Sequence, residues 1–324
     1  MSPIAEFARE LHENMAAASA AVPAPVDCPS RCDRLTDIRA AVFDVYGTLI
    51  NYWRPGLQNR EDRPHFFKEA CRAVADRFGF TRYLAEMDPD EEPEKTLYNL
   101  YCGLIALKHE KASHSQAFPE VKVEEIWGLI LLMLKRRGYD PTALSLGEGD
   151  DLARRIAYSY NFFSLGRDLY PGVVDALAAI KKNNIALGLL SNAQFYTPID
   201  LTLLIRDQSK GIYDDYSELF DPDLTFYSYE YGVSKPNQFL FQRLFDALYE
   251  YHITPAQTVF VGNDLILDIE PAMKAGMKTA FFNGDGNSAF FHNRKGSIVP
   301  DITFAAWDEL PGKLSFHSEG AGSL

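Results

Sequence analysis

The feature that most constrains this chain is the run Ala41-Val42-Phe43-Asp44-Val45-Tyr46-Gly47-Thr48-Leu49-Ile50, where an apolar stretch ends at one carboxylate and a Gly-Thr turn follows. A continuous apolar run of this kind is the pattern of a parallel strand buried on both faces. Active groups of open α/β sheets sit at the carboxyl ends of such strands, which places Asp44 where a carboxylate can meet a ligand. Taken alone, the segment is equally an Asp that ends a strand and caps the next turn.

The rest of the chain repeats the pattern. Apolar runs at Ile38–Phe43, Ile185–Leu190, Leu224–Tyr229, Thr258–Val261 and Lys278–Phe282 read as strands. Helical patterns stand between them at 171–182, 197–219 with a break near Gly211, 236–251 and 270–275. Alternation of strand and helix predicts an α/β fold with a doubly wound parallel sheet, its crossovers right-handed. Residues 51–167 contain no strand-like run. Phe66–Phe78, Glu94–Leu107, Val123–Arg137 and Leu152–Phe163 carry apolar residues at spacings of three and four, so this block is expected to be a helical insertion. Residues 1–36 read as an N-terminal arm, with a helix over 3–21 and a Pro-rich connector over 22–29. The expected domains are therefore 1–36 as arm, 37–50 with 168–324 as core, and 51–167 as an inserted helical cap.

Composition limits the function. The 324 residues carry a formal net charge of −13. That excludes nucleic acid and anionic membrane as main partners, because phosphate binding needs clustered Lys and Arg. A small anionic substrate stays open, since one local basic group can suffice in a cleft. The cysteines are Cys28, Cys32, Cys71 and Cys102, a sparse set that reads as free thiols in a reducing compartment. The acidic Glu6, Glu10 and Glu13 precede the Ala-rich stretch from Met15, so no signal peptide is expected. No run approaches the roughly 20 apolar residues of a spanning helix. The expectation is a soluble, cytoplasmic protein; the sequence carries no signal for its oligomeric state.

Four polar sites follow successive strands: Asp44, Ser191-Asn192, Lys235, and Asn263-Asp264 with Asp268. Each has an ordinary structural explanation alone, as a helix cap, a solvated lysine or acidic residues at a helix start. Together they are a carboxylate nucleophile, a hydroxyl–amide pair, one cation and a carboxylate cluster. That set suits a hard divalent cation and an anionic substrate.

These segments resemble the haloacid dehalogenase-like (HAD) hydrolase superfamily, which is mostly phosphatases. Phe43-Asp44-Val45-Tyr46-Gly47-Thr48-Leu49 is similar to its first motif, Leu189-Leu190-Ser191-Asn192-Ala193 to its second, Gly232-Val233-Ser234-Lys235-Pro236-Asn237 to its third, and Val261 through Ile269 to its acidic fourth. The resemblance covers about residues 38–50 and 168–310 and implies a cap between the first two motifs. It implies Asp44 as nucleophile, Ser191, Asn192 and Lys235 as binders of the transferring group, and Asp268 as a supporting carboxylate. It implies Mg2+ held by Asp44, the Tyr46 carbonyl and either Asn263 or Asp264.

Two positions depart from the phosphatase pattern. The family's general acid, an Asp two residues after the nucleophile, is here Tyr46, as in the metal-free 2-haloacid dehalogenases. Asn263 stands where the common pattern has Asp, yet the dehalogenases' Ser-Ser-Asn stretch is absent. An unperturbed phenol titrates near 10, which makes Tyr46 a weak donor. The expected activity is a magnesium-dependent phosphatase for a small phosphorylated metabolite. The alternatives are a 2-haloacid dehalogenase, with Arg54 or Arg60 as carboxylate clamp, and a non-catalytic binding protein on the same fold.

Overall fold

The computed structural model describes residues 2–15, 17–144 and 147–315. The chain divides into two compact units: Met1–Ala21 with Tyr52–Arg167, and Val22–Asn51 with Asp168–Leu324. The stretch read as one N-terminal arm is thus divided after Ala21 between the two units.

The first unit is helical. It contains α1 (Pro3–Asn14), α2 (Arg63–Arg77), α3 (Thr81–Met87), α4 (Pro93–Ser113), α5 (Val123–Lys135) and α6 (Gly149–Ser164). Helix α1 starts where the Ser2 side chain accepts a hydrogen bond from the Ala5 amide, and it buries Ile4, Phe7, Ala8 and Leu11, all on one face. It packs on α6; α2 packs on α4 and α6, and α5 on α6. Tyr101, Trp127 and Tyr160 meet between α4, α5 and α6, with ring centroids 4.7 to 5.4 Å apart. Among the described residues no helix is long and apolar enough to cross a membrane. All four cysteines are free thiols.

The second unit is the α/β core expected from the sequence. Its strands are β1 (Ala40–Phe43), β2 (Ile50–Asn51), β3 (Asp168–Leu169), β4 (Ala186–Ser191), β5 (Thr225–Tyr227), β6 (Thr258–Gly262), β7 (Lys278–Phe282) and β8 (Ile302–Phe304). Six of them form a parallel sheet in the order β5-β4-β1-β6-β7-β8, while β2 and β3 pair antiparallel apart from it. Strand β1 is fully buried because it packs both ways. Ala41 and Phe43 face the helices α7 (Val173–Lys182) and α8 (Thr197–Gln208), and Ala40 and Val42 face α10 (Gln238–Glu250). Short helices α9 (Ser228–Tyr231), α11 (Glu270–Lys274) and α12 (Leu310–Lys313) complete the unit.

Three elements end earlier than the sequence suggests. Helix α1, expected over 3–21, ends at Asn14, because Met15 takes extended backbone at φ −135° and ψ 131°. Helix α8 stops at Gln208 because Lys210 and Gly211 take left-handed backbone, at φ 54° and 79°. Strand β5 stops at Tyr227 because the Ser228 hydroxyl bonds Ala193 N and O, and α9 begins there. The chain lays strands outward from β1 through β4 to β5, then returns to place β6 on its other side. The gap between the ends of β1 and β6 is therefore a topological switch point, where α/β sheets bind ligands.

Candidate active site

Asp44 follows β1 directly, and its amide donates to Val261 O of β6 at 2.9 Å. The chain then turns sharply: the amides of Leu49 and Ile50 both return to Val45 O, and Gly47 sits at φ 83°. That conformation favours glycine. Ser191 ends β4, and its Oγ donates to Asp44 Oδ1 at 2.9 Å. Lys235 lies beyond α9 with its Nζ 2.7 Å from Asp44 Oδ1 and 2.6 Å from Asp268 Oδ1. Asn192 brackets the lysine backbone: its Oδ1 accepts from Lys235 N at 2.6 Å and its Nδ2 donates to Lys235 O at 3.3 Å. Among the described residues no hydrogen bond reaches Asp44 Oδ2. One oxygen of this carboxylate is thus fixed and the other is open, in a residue 7% exposed.

The acidic segment is folded by its own side chains. Asp264 Oδ1 accepts from the amides of Ile266 and Leu267, each at 2.8 Å, and so caps the helical turn Leu265–Ile269. Asp268, one turn later, reaches back so that its Oδ2 accepts from the amides of Asn263 and Asp264 at 3.1 and 3.0 Å. Gly262 is required here, because a Cβ on it would overlap the Asp268 carboxylate. Asp264 Oδ2 lies 2.7 Å from His292 Nε2. The Asn263 side chain is buried, with Oδ1 accepting from Thr48 Oγ1 at 2.8 Å and Nδ2 donating to Ser288 O at 2.6 Å.

Burial and charge crowd this site. Burial pushes the Asp268 carboxyl up to about 7, with Asp44 and Asp264 adding to the rise and Lys235 opposing it. For Lys235, burial works downward, but the carboxylates of Asp268 and Asp44 outweigh it and hold the ammonium above its ordinary range. The lysine therefore keeps its proton.

The site residues of the four motifs come together in the sheet unit. Asp44, Tyr46, Asn192, Lys235, Asn263, Asp264 and Asp268 line one cavity of about 120 Å³, and Ser191 backs it through Asp44. Tyr46 does not stand free in it as an acid would, since its hydroxyl is 3.0 Å from Thr197 Oγ1. Arg54 and Arg60 belong to the helical unit. The sequence reading missed Thr48, Ser288, Phe290 and His292. Phe290 lines the cavity and the other three hold the acidic segment. Only Thr48 lay within a recognisable motif.

The fold and the cavity at its switch point define an α/β enzyme core. The model of the haloacid dehalogenase-like hydrolase family matches residues 38–276, and the chain belongs to that family. It is similar in structure to a 2-haloacid dehalogenase of Pseudomonas syringae pv. tomato, at 20% identity over 85% of this chain and 97% of that one, with a TM-score of 0.49. A HAD phosphatase of Thermococcus onnurineus is 15% identical over 85% and 97% of the two chains, with a TM-score of 0.44. A magnesium-bound HAD-hydrolase of Bacillus subtilis is 18% identical over the same shares, with a TM-score of 0.44. None of these likenesses bears on which reaction this chain performs. No curated protein matches it.

Proposed function

We propose that this hydrolase is a magnesium-dependent phosphatase that passes the phosphoryl group of a small substrate through Asp44. The observation that supports this reading is the charge of the cavity: three carboxylates, Asp44, Asp264 and Asp268, and one lysine line about 120 Å³. The carboxylates outnumber the lysine, which already touches two of them. An anionic substrate needs added positive charge here, whether phosphate ester or haloacid. In the dehalogenase alternative that charge would fall to Arg54 or Arg60 of the helical unit, whereas magnesium at the acidic segment would supply it within the sheet unit, which favours the phosphatase.

The donors suit magnesium. Among the described residues no three His, Cys, Asp or Glu side chains form a ready cage, but magnesium usually binds one or two carboxylates together with substrate phosphate and water. Among the described residues Asp44 Oδ2 accepts no hydrogen bond, and Asp264 Oδ2 meets only His292, whose side chain is 45% exposed. Asp44, the Tyr46 carbonyl and Asp264 would hold the ion. It would offset negative charge on the phosphoryl oxygens.

The chain's own residues do the remainder. Lys235 and Ser191 fix Asp44 Oδ1, and the carboxylate they hold attacks phosphorus as the bond to the leaving oxygen breaks. Water then forms a bond to phosphorus and the aspartyl oxygen departs, releasing phosphate. Asp268 holds Lys235 in place, and Asn192 holds the lysine backbone. In this reading residues 37–50 and 168–324 are the catalytic core and 51–167 the substrate-selecting cap. The test is hydrolysis of an aryl phosphate with magnesium, with excess chelator, and by Asp44→Asn. Magnesium-dependent turnover abolished in Asp44→Asn is expected. Full activity in chelator, or chloride release from a 2-haloacid without metal, would overturn the reading.

A further inference from the structure

We infer that Asn263 is a positioning residue that latches the Asp44 turn to the segment after β7, and that it is not a ligand of the metal. This rests on the reading of Asp44 as nucleophile and names what sets its position. The side-chain amide bridges two loops that are far apart in sequence. It accepts from Thr48 Oγ1 at 2.8 Å, four residues after Asp44, and donates to the main-chain oxygen of Ser288 at 2.6 Å. Its backbone is held as well, because its carbonyl accepts from Phe290 N at 2.9 Å and its amide donates to Asp268.

The chemistry of the partners dictates the residue type. Ser288 offers a carbonyl oxygen, which only accepts, so the facing atom must donate. A carboxylate there would set two acceptors against each other in a buried place, and leaving such groups unpaired is costly. An amide supplies one acceptor for Thr48 and one donor for Ser288, which an ionised aspartate cannot do. The amide oxygen already receives the Thr48 hydroxyl, so that although Asn263 borders the cavity its side chain is committed to the two loops it joins.

The far side of the latch is anchored. Ser288 N donates to Asp285 O at 3.0 Å, and Ser288 Oγ lies 2.9 Å from the Tyr170 hydroxyl, which itself donates to Asp285 Oδ2 at 2.7 Å. Asp285 is 1% exposed. On the near side, a Cβ on Gly47 would sit 2.5 Å from Asn263 Nδ2 and 3.1 Å from Ser288 Cβ. Gly47 thus serves two ends: it permits the turn and it leaves room for the amide to pass.

The experiment is a double-mutant cycle of Asn263→Ala and Thr48→Val on aryl phosphate hydrolysis, with calorimetric magnesium titration of each protein. Misplacing a reacting group by about 1 Å costs about 10² in rate. Each single variant should lose about ten- to a hundredfold in kcat with KM unchanged, and the double variant should be no slower than the slower single. Magnesium affinity should stay within about twofold, and Asn263→Asp should lower kcat without tightening magnesium. Losses that multiply, or an affinity that falls about tenfold in Asn263→Ala alone, overturn the latch. An Asp44→Asn variant that stays active instead overturns the nucleophile reading beneath it. A readout free of substrate is amide exchange: Gly47 and Thr48 should exchange faster in Asn263→Ala while Thr303 of β8 does not change. Unchanged exchange at Gly47 and Thr48 also overturns it.

Discussion

At the scale of the residue, Lys235 carries the heaviest electrostatic demand. It is 3% exposed and joins Asp44 to Asp268. Removing one member of a buried ion pair leaves an uncompensated charge and costs about 3–5 kcal/mol. Lys235→Ala should therefore lower the melting temperature measurably and lower kcat by at least about 10², the loss typical of one preorganised donor. Lys235→Met, which fills more of the space, should recover part of the melting temperature and none of the rate. A Met variant with restored rate would remove Lys235 from the chemistry. Tyr46 sets a different limit. In the proposed function proton help to the leaving group is expected to be weak, because a phenol 3.0 Å from Thr197 Oγ1 stands where a carboxyl would give it, and that help is worth about 10²–10⁴. Rates should fall steeply from aryl or acyl phosphates to alkyl phosphates. Tyr46→Asp should raise alkyl relative to aryl turnover by about 10². Equal wild-type rates on both classes, with chemistry rate-limiting, would show that another group donates the proton.

At the scale of the element, α1 shows burial overriding a helix terminus. His12 stands in the last turn, where the helix dipole favours a charged imidazole by about 0.3–1 kcal/mol. Burial nonetheless pushes its pKa down to about 4, and the Arg167 guanidinium adds to the fall. Its Nε2 is 2.9 Å from the Tyr158 hydroxyl, and its ring meets Phe162 edge-on at 4.9 Å. The folded value lies below the ordinary 6.5, so the unfolded chain binds the proton more readily between them. This contribution to stability is complete above pH 6.5 and is lost as pH falls toward 4. Urea unfolding followed by tryptophan fluorescence should show that loss, and His12→Gln should flatten it. Parallel pH curves for the two proteins would disprove it. The elements also explain what the sequence made legible. Strands β1, β4 and β6 are buried on both faces, so each prints an uninterrupted apolar run that ends at a polar residue of the cavity. Strands β2, β3 and β8 have two or three residues and print no period. The choice between Asn263 and Asp264 was illegible for another reason. Which oxygen is engaged depends on Thr48, 215 residues away, and on a main-chain oxygen of Ser288, 25 residues away. A carbonyl leaves no mark on residue type, and His292 lies in a long segment with no pattern.

At the scale of the whole molecule, the insertion of a helical unit between β1 and β4 leaves the sheet unit with a complete core of its own. The clusters on both faces of the sheet draw every buried residue from Val22–Asn51 and Asp168–Leu324. The two ends of the insertion are also neighbours, because Asn51 and Asp168 are paired residues of β2 and β3. A short linker can therefore join them without moving either strand. The prediction concerns a chain that begins at Val22 and carries a four-residue Gly-Ser linker in place of residues 52–167. It should unfold cooperatively in urea, with an m-value reduced in proportion to the surface it no longer buries. It should also keep the Asp44–Lys235–Asp268 contacts, since β1, β6 and the residues that follow them all remain. In the proposed function it would retain magnesium binding and lose selectivity among phosphate esters, because the segment that chooses between them is gone. Circular dichroism, urea titration and magnesium calorimetry on this chain test each step separately. Broad, non-cooperative unfolding with exposed apolar surface would mean that the sheet unit depends on the helical unit for its stability. Cooperative unfolding with unchanged ester selectivity would instead move the source of selectivity into the cavity beside Phe290 and His292.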